Sequence, residues 1–460
     1  LIVTSEDRHG GVGDLWEMLE RADEAEHPAP SGPAGQAPTH DDVRRQKRRR
    51  RNRRIAGLIA IVAVLALLAT YVSLTLTAPI GAAASTFQRP PIAQPGVATI
   101  ALPAGGEAAV SVAGADDYLG STATGIFASS GGNGALPMAS ISKLITAMVI
   151  LDAKPLGASG AGPMITWSKA DHDLYDKYYV LNATIAAMPT NSTMSEHDAL
   201  ETMLVVSACN YAEALADWAF GSNDAFLFAT RKWLAANGLT GTVMVEPTGI
   251  DAHNLSTPSD LIALGKLAMA NPVIASIVNK TALDVPSLAG MPNTNDLLGT
   301  DGIDGIKTGT LDGSDLLFSS TVTVGTPSPL TITGVVLAGS NRGSVDAAVN
   351  AMITSITAGF HHVDLATDGQ TVGSYSTAWG AKATMVLGRS ASTLTWSNTP
   401  ITSSMKTTTL KTGASGEKVG SVTWRAGKST VTLPVLLQGR IRPPTVWWRL
   451  THPMQLLGKK

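Results

Sequence analysis

The feature that most constrains this chain is the stretch 55–77, twenty-three residues without one charged side chain, entered directly from the run RRQKRRRRNRR at 44–54. As a helix rising 1.5 Å per residue it would be about 34 Å long, enough to cross the hydrocarbon core of a bilayer. Nine of the chain's 34 basic residues occupy those eleven preceding positions. Lys and Arg before an apolar span, with none just after it, place the N-terminus in the cytoplasm and the chain beyond residue 77 outside. A core helix of a soluble protein is rarely apolar all round for so long. A cleavable leader is the stronger rival, because Ala82, Ala83 and Ala84 supply small residues beyond the span. Such a leader would run to about 80 residues, and its apolar stretch exceeds the usual length of roughly 7–15. The expectation is an uncleaved, single-pass anchor in the cell membrane.

The rest of the chain is globular in composition. Hydrophobic residues make up 44% and charged residues 15%, which excludes disorder of the whole chain. A net charge of -2 argues against nucleic acid as a partner of its bulk. One cysteine excludes an internal disulfide and a Cys-rich metal site, and the nine histidines show no ligand spacing, so neither metal nor cofactor is expected. Texture divides the chain further. Residues 1–54 read as a cytosolic tail, disordered over 1–43 and basic at its end, followed by the span at 55–77. Residues 78–96 read as an extended linker and 97–360 as a mixed helix and strand domain. Residues 361–442, with Gly-separated segments such as KVGSVTW and STVTLPVLL, read as a small all-β domain. The tail 443–460 carries Trp447, Trp448, Leu450, Leu456 and Leu457 beside basic residues. It reads either as a packed strand end or as a segment touching the membrane interface.

Three short motifs carry chemistry. In PMASISKLITAMVIL, Leu144, Ile145, Met148 and Val149 recur at helical spacing, so Ser140 starts a helix and Lys143 lies on the same face. A serine hydroxyl needs a base, and a neutral lysine can serve; orphan N–H groups at the helix start can hold an oxyanion. In GIDGIKTGT, Lys307, Thr308, Gly309 and Thr310 precede apolar strands and offer a cation, hydroxyls and close backbone approach, which suit a carboxylate. The third is Ser207 in LVVSACNYAEALADWAF, a segment with helical character. Taken singly each is weak. Ser403 with Lys406, Ser415 with Lys418, and Lys411-Thr412-Gly413 repeat the first two patterns inside the β-rich region, where surface turns explain them.

In their order and spacing the motifs form the constellation of serine penicillin-recognising enzymes. PMASISKLITA, LVVSACNYAEALA and GTDGIDGIKTGT resemble the three boxes of the low-molecular-weight penicillin-binding proteins, the serine-type D-alanyl-D-alanine carboxypeptidases. EPTGIDAHNLSTPSDLIALGKLA and the segment from Asn293 resemble stretches between them, so the likeness runs over about 94–439. It implies an α+β, β-lactamase/transpeptidase-like catalytic domain and a small C-terminal β domain. It also implies Ser140 as nucleophile, Lys143 as base, Ser207 as proton relay, and Lys307, Thr308, Gly309 and Thr310 as the site of the substrate carboxylate. Backbone N–H groups of Ser140 and Thr310 would form the oxyanion hole. The substrate would be a peptidoglycan stem peptide ending in D-Ala-D-Ala, and β-lactams would acylate Ser140.

One departure stands out. The family's second box is Ser-x-Asn, and here Cys209 occupies the asparagine position. Asn210 is the residue left to supply the missing amide, since on a regular helix 207 and 210 share a face and 209 points away. Rival readings are a β-lactamase with Glu246 as deacylating base, an endopeptidase using the same residues, and a non-catalytic muropeptide receptor.

Overall fold

A computed structural model describes residues 40–456. Residues 1–39, most of the expected disordered tail, and 457–460, with Leu457, lie outside the described residues. The chain divides into two units. One holds the N-terminal helix with the C-terminal tail from Thr445, and the other spans 80–444.

In the first unit a single helix runs His40–Thr77. The basic run is therefore helical and not an irregular tail end. Arg and Lys are good helix formers, and a span already nucleated extends into them at little cost. Arg44–Thr77 is long and apolar enough to cross a membrane. The C-terminal tail is helical at Val446–Thr451 and Pro453–Leu456, not a strand end. Thr445 caps the first of these by accepting from the Trp448 N–H, which starts a helix where the β-branched and aromatic residues favour a strand. Arg449 Nη1 donates to the carbonyls of Thr75, Leu76 and Ala78 at 3.3, 3.0 and 2.9 Å, satisfying acceptors the long helix leaves orphaned at its end.

The second unit is built on an antiparallel five-stranded sheet. Its order is Ala128–Ser130, Glu107–Ala113, Leu330–Gly339, Ser314–Val322 and Ile303–Thr310. The inner strands are apolar runs because helices cover both faces. Ala109, Leu317, Val335 and Leu337 face one core with the helix Pro258–Ala270 and the helical subdomain. Their neighbours Ala108, Val110, Leu316, Phe318 and Val336 face a second core. There Val345, Val349, Met352, Ile353 and Ile356 of the helix Arg342–Ala358 pack. The strand Ile303–Thr310 is the edge of this sheet, and the residues Lys307 to Thr310 lie on it.

A six-stranded sheet with its own core, including Trp424, Met385 and Leu433, forms the β-rich region. The expected linker contributes to it: Ala84–Phe87 pairs antiparallel with Thr371–Ser376. This α+β architecture, with a small C-terminal β region and one apolar N-terminal helix, is the one the motifs imply.

Gly334 sits opposite Phe318 in the sheet, and a Cβ on it would lie 2.2 Å from the Phe318 ring. Phe318 is fully buried. Gly334→Ala should therefore cost about 1–3 kcal/mol through overpacking, read as a lowered melting temperature; an unchanged melt would show that the ring has room.

Candidate active site

The nucleophile sequence does not enter its helix directly. Ala139–Ile141 forms a tight 3-10 turn, with Ala139 at φ 45, and the helix Ser142–Ala153 follows. Leu144, Ile145, Val149 and Ile150 anchor that helix in the core of the helical subdomain. Lys143 is swallowed with them at 0% exposure. Its Nζ lies 3.0 Å from Ser140 Oγ, 3.3 Å from Cys209 Sγ and 2.7 Å from the Thr248 carbonyl oxygen. A buried amine demands such partners, because an unsatisfied one costs several kcal/mol.

The second motif departs from the helical expectation. The helix Glu196–Val205 ends, and a new one, Cys209–Phe220, starts after a break at Ser207, whose φ is 65. That left-handed residue resets the helical phase. Cys209 consequently points to Lys143. Asn210 points elsewhere: it is fully buried, its Nδ2 donates to the Ala186 carbonyl and its Oδ1 accepts from the Ala186 N–H. Its amide is thus engaged with backbone and does not face the groove as a replacement for the missing one. Ser207 is 4% exposed, and its hydroxyl has no hydrogen-bond partner among the described residues.

The edge strand Ile303–Thr310 lies against the nucleophile turn: a Cβ on Gly309 would sit 3.1 Å from the Ala139 Cβ. Ser140, Asn182, Thr184, Cys209, Gly249 and Thr310 line one cleft of about 320 Å³. Lys307, on the same strand as Thr310, is 1% exposed. Burial first, then the charges of Lys143 and Arg342, hold the Lys307 ammonium well below its usual range. Thr308 and Thr294 share a hydroxyl hydrogen bond of 2.6 Å, and Thr294 Oγ1 also lies 3.4 Å from Lys307 Nζ. Arg342 Nη1 donates to the Thr294 carbonyl at 2.7 Å. Lys307 and Arg342 thus meet at Thr294, one through its hydroxyl and the other through its carbonyl, and bring basic side chains together beside the strand edge.

Sequence reasoning missed Arg342, Thr294 and Thr248. Arg342 opens a helix some way beyond the strand and carries no motif of its own. Thr248 acts through a backbone carbonyl, which leaves no side-chain signature. Glu246 was visible, but only as the deacylating base that a rival β-lactamase reading would need. Its carboxylate accepts from the N–H groups of Thr248 and Gly249, each at 2.6 Å, and from Asn254 Nδ2 at 2.9 Å. The repeated motifs in the β-rich region form no comparable site. Ser403 and Lys406, three apart on the strand Ile401–Thr407, project from opposite faces. His197, Asp198 and Glu201 bring possible metal ligands within 4.8 Å of one another, but Lys280 Nζ already neutralises Glu201 at 2.6 Å.

A serine hydroxyl 3.0 Å from a buried lysine amine, beside a strand edge that carries a second lysine, is an arrangement suited to serine acyl transfer. The family model for D-alanyl-D-alanine carboxypeptidase matches residues 118–341. Over 141 residues it is 33% identical to a D-alanyl-D-alanine endopeptidase of Escherichia coli, covering 31% of this chain and 42% of that one. Over 193 residues it is 25% identical to the D-alanyl-D-alanine carboxypeptidase DacC of Escherichia coli, covering 41% and 48%. The chain spans about half the length of the curated relatives it matches. Penicillin binding protein 5 of Haemophilus influenzae shares the fold, with a TM-score of 0.50 at 17% identity, covering 77% of this chain and 99% of that one. Penicillin binding protein 6B of Escherichia coli gives the same TM-score, 0.50, at 17% identity over 76% and 99%.

Asp315 pairs with Gly309 across the sheet and is 4% exposed. Burial pushes its carboxyl up to about 6, against the pull of the Ala338 N–H and Arg342. The folded state therefore holds this proton more tightly than the unfolded chain. The resulting stability is present below the unfolded value near 4 and is lost as pH rises through about 6. Asp315→Asn should remove up to about 3 kcal/mol of that decline, measured as unfolding free energy from pH 4 to 7.5. Parallel curves for the two proteins would contradict it.

Proposed function

We propose that this chain is a membrane-anchored serine D-Ala-D-Ala carboxypeptidase, acting on peptidoglycan stem peptides through an acyl-enzyme on Ser140. The observation that carries the reading is the 3.0 Å contact between Ser140 Oγ and Lys143 Nζ, in a groove that Thr310 of the lysine strand also lines. The terminal carboxylate docks at Thr310, Thr308 and Lys307, with Arg342 adding positive field. Lys143, as the amine, takes the Ser140 proton while Oγ attacks the penultimate carbonyl carbon. The N–H groups of Ser140 and Thr310 hold the oxyanion. The C–N bond then breaks, Ser207 relays the proton to the departing D-Ala nitrogen, and water hydrolyses the ester. β-Lactams would acylate the same oxygen. The domain spans 97–360, with 361–442 as the β-rich companion. The basic run holds the N-terminus in the cytoplasm, so that the groove faces the cell wall.

Endopeptidase action is the second reading, favoured by the higher identity to the Escherichia coli endopeptidase, 33% against 25% for DacC. A cross-linked peptide would present the same D-Ala carbonyl to Ser140 with a different leaving amine. A β-lactamase is disfavoured, because the Glu246 carboxylate is occupied by backbone N–H groups and is not free to activate water.

The test is incubation of the purified chain with a synthetic peptide ending in D-Ala-D-Ala and, separately, with cross-linked muropeptide dimers. Release of free D-Ala that disappears in Ser140→Ala is the expected result. Cleavage of dimers without release of D-Ala would make it an endopeptidase. Neither activity from folded protein would leave the non-catalytic muropeptide receptor as the reading.

A further inference from the structure

The loop 246–251 has no substrate-contacting side chain in the mechanism above, yet it touches the nucleophile turn at several points. The Pro247 carbonyl accepts from Thr146 Oγ1 at 2.7 Å, and the Thr248 carbonyl accepts from Lys143 Nζ at 2.7 Å. Gly249, at φ 81, presses against the residue before Ser140, where any Cβ would fall 1.8 Å from the Ala139 carbonyl oxygen. Asn254 Nδ2 reaches Ser142 Oγ at 3.1 Å. What folds the loop is one carboxylate. Glu246 accepts from the N–H groups of Thr248 and Gly249 at 2.6 Å each, from the Asp251 N–H at 3.4 Å and from Asn254 Nδ2 at 2.9 Å. An ionised carboxylate is acceptor-only, so it can gather several convergent N–H groups that no neutral side chain of its size can satisfy.

We propose that Glu246 is a positioning residue for the base: its carboxylate fixes the Thr248 carbonyl, and that carbonyl aims the Lys143 amine at Ser140. A neutral amine has two N–H bonds and one lone pair. With one N–H held by the Thr248 oxygen and the other directed at the Cys209 sulfur, the lone pair is left for the Ser140 proton. Sulfur is a weak acceptor. In this chain, with cysteine in place of the family's asparagine, the orientation of the amine depends chiefly on the Thr248 carbonyl. Glu246 is thereby assigned to acylation and not to deacylation. The inference rests on the reading of Ser140 as an acylated nucleophile.

The experiment is stopped-flow acylation by a fluorescent penicillin in wild type, Glu246→Gln and Glu246→Asp, with the acylation rate constant, the apparent binding constant and the deacylation rate obtained separately. In Gln the amide NH₂ opposes the loop N–H groups, so acylation should fall tenfold or more while the binding constant changes by less than about threefold. Asp, which keeps the charge on a shorter arm, should fall between Gln and wild type. Normal acylation in folded Glu246→Gln overturns the proposal. Normal acylation with slowed deacylation also overturns it and makes Glu246 a deacylating base. If neither variant melts cooperatively, Glu246 serves folding and the positioning role is wrong. If wild type itself is not acylated, the Ser140 reading fails and this inference falls with it; acylated wild type with identical variants sinks this inference alone.

Discussion

The contact between Ser140 Oγ and Lys143 Nζ, at 3.0 Å, is the constraint around which the rest of the site is built. An amine at 0% exposure has given up its water, and the protein must replace every lost hydrogen bond. The three replacements come from three separate pieces of chain: the nucleophile turn, the first residue of the helix Cys209–Phe220, and the loop at Thr248. Burying one lysine thus fixes where three elements meet. The same geometry that satisfies the amine brings it next to a hydroxyl.

The sheet supplies the other half. Its edge strand carries Lys307 and Thr308, both buried, and places Thr310 in the groove, and Gly309 lets the strand approach Ala139 without a side chain between them. Lys143, Lys307 and Arg342 repel one another across this small volume, part of what holds Lys307 well below its usual range. Such crowding of basic groups disfavours their charged forms in the empty site and is relieved by an anion.

Much of this was legible in the sequence, for local reasons. Ser140 and Lys143 are one turn apart, and Lys307 to Thr310 are contiguous on one strand, so their chemistry is written in consecutive letters. What was not legible depends on backbone. The left-handed break at Ser207 defeated the periodicity argument and exchanged the orientations of Cys209 and Asn210. Thr248 contributes a carbonyl, and Glu246 acts through N–H groups of its own loop. Arg342 reaches the site only because a strand hairpin and a helix start bring it there. The short strand Ala84–Phe87 looked like linker because its partner, Thr371–Ser376, lies nearly three hundred residues away. At the C-terminus a single cap, Thr445, decided for helix where Trp and Val favoured strand.

The central claim is that one hydroxyl, activated by one buried amine, is the reactive group of this fold. Peptide mapping by mass spectrometry after brief exposure of the folded, full chain to penicillin tests it most directly. The account predicts a single added penicillin, on the peptide that carries Ser140. An adduct on Cys209 or elsewhere, or none at all, would contradict it.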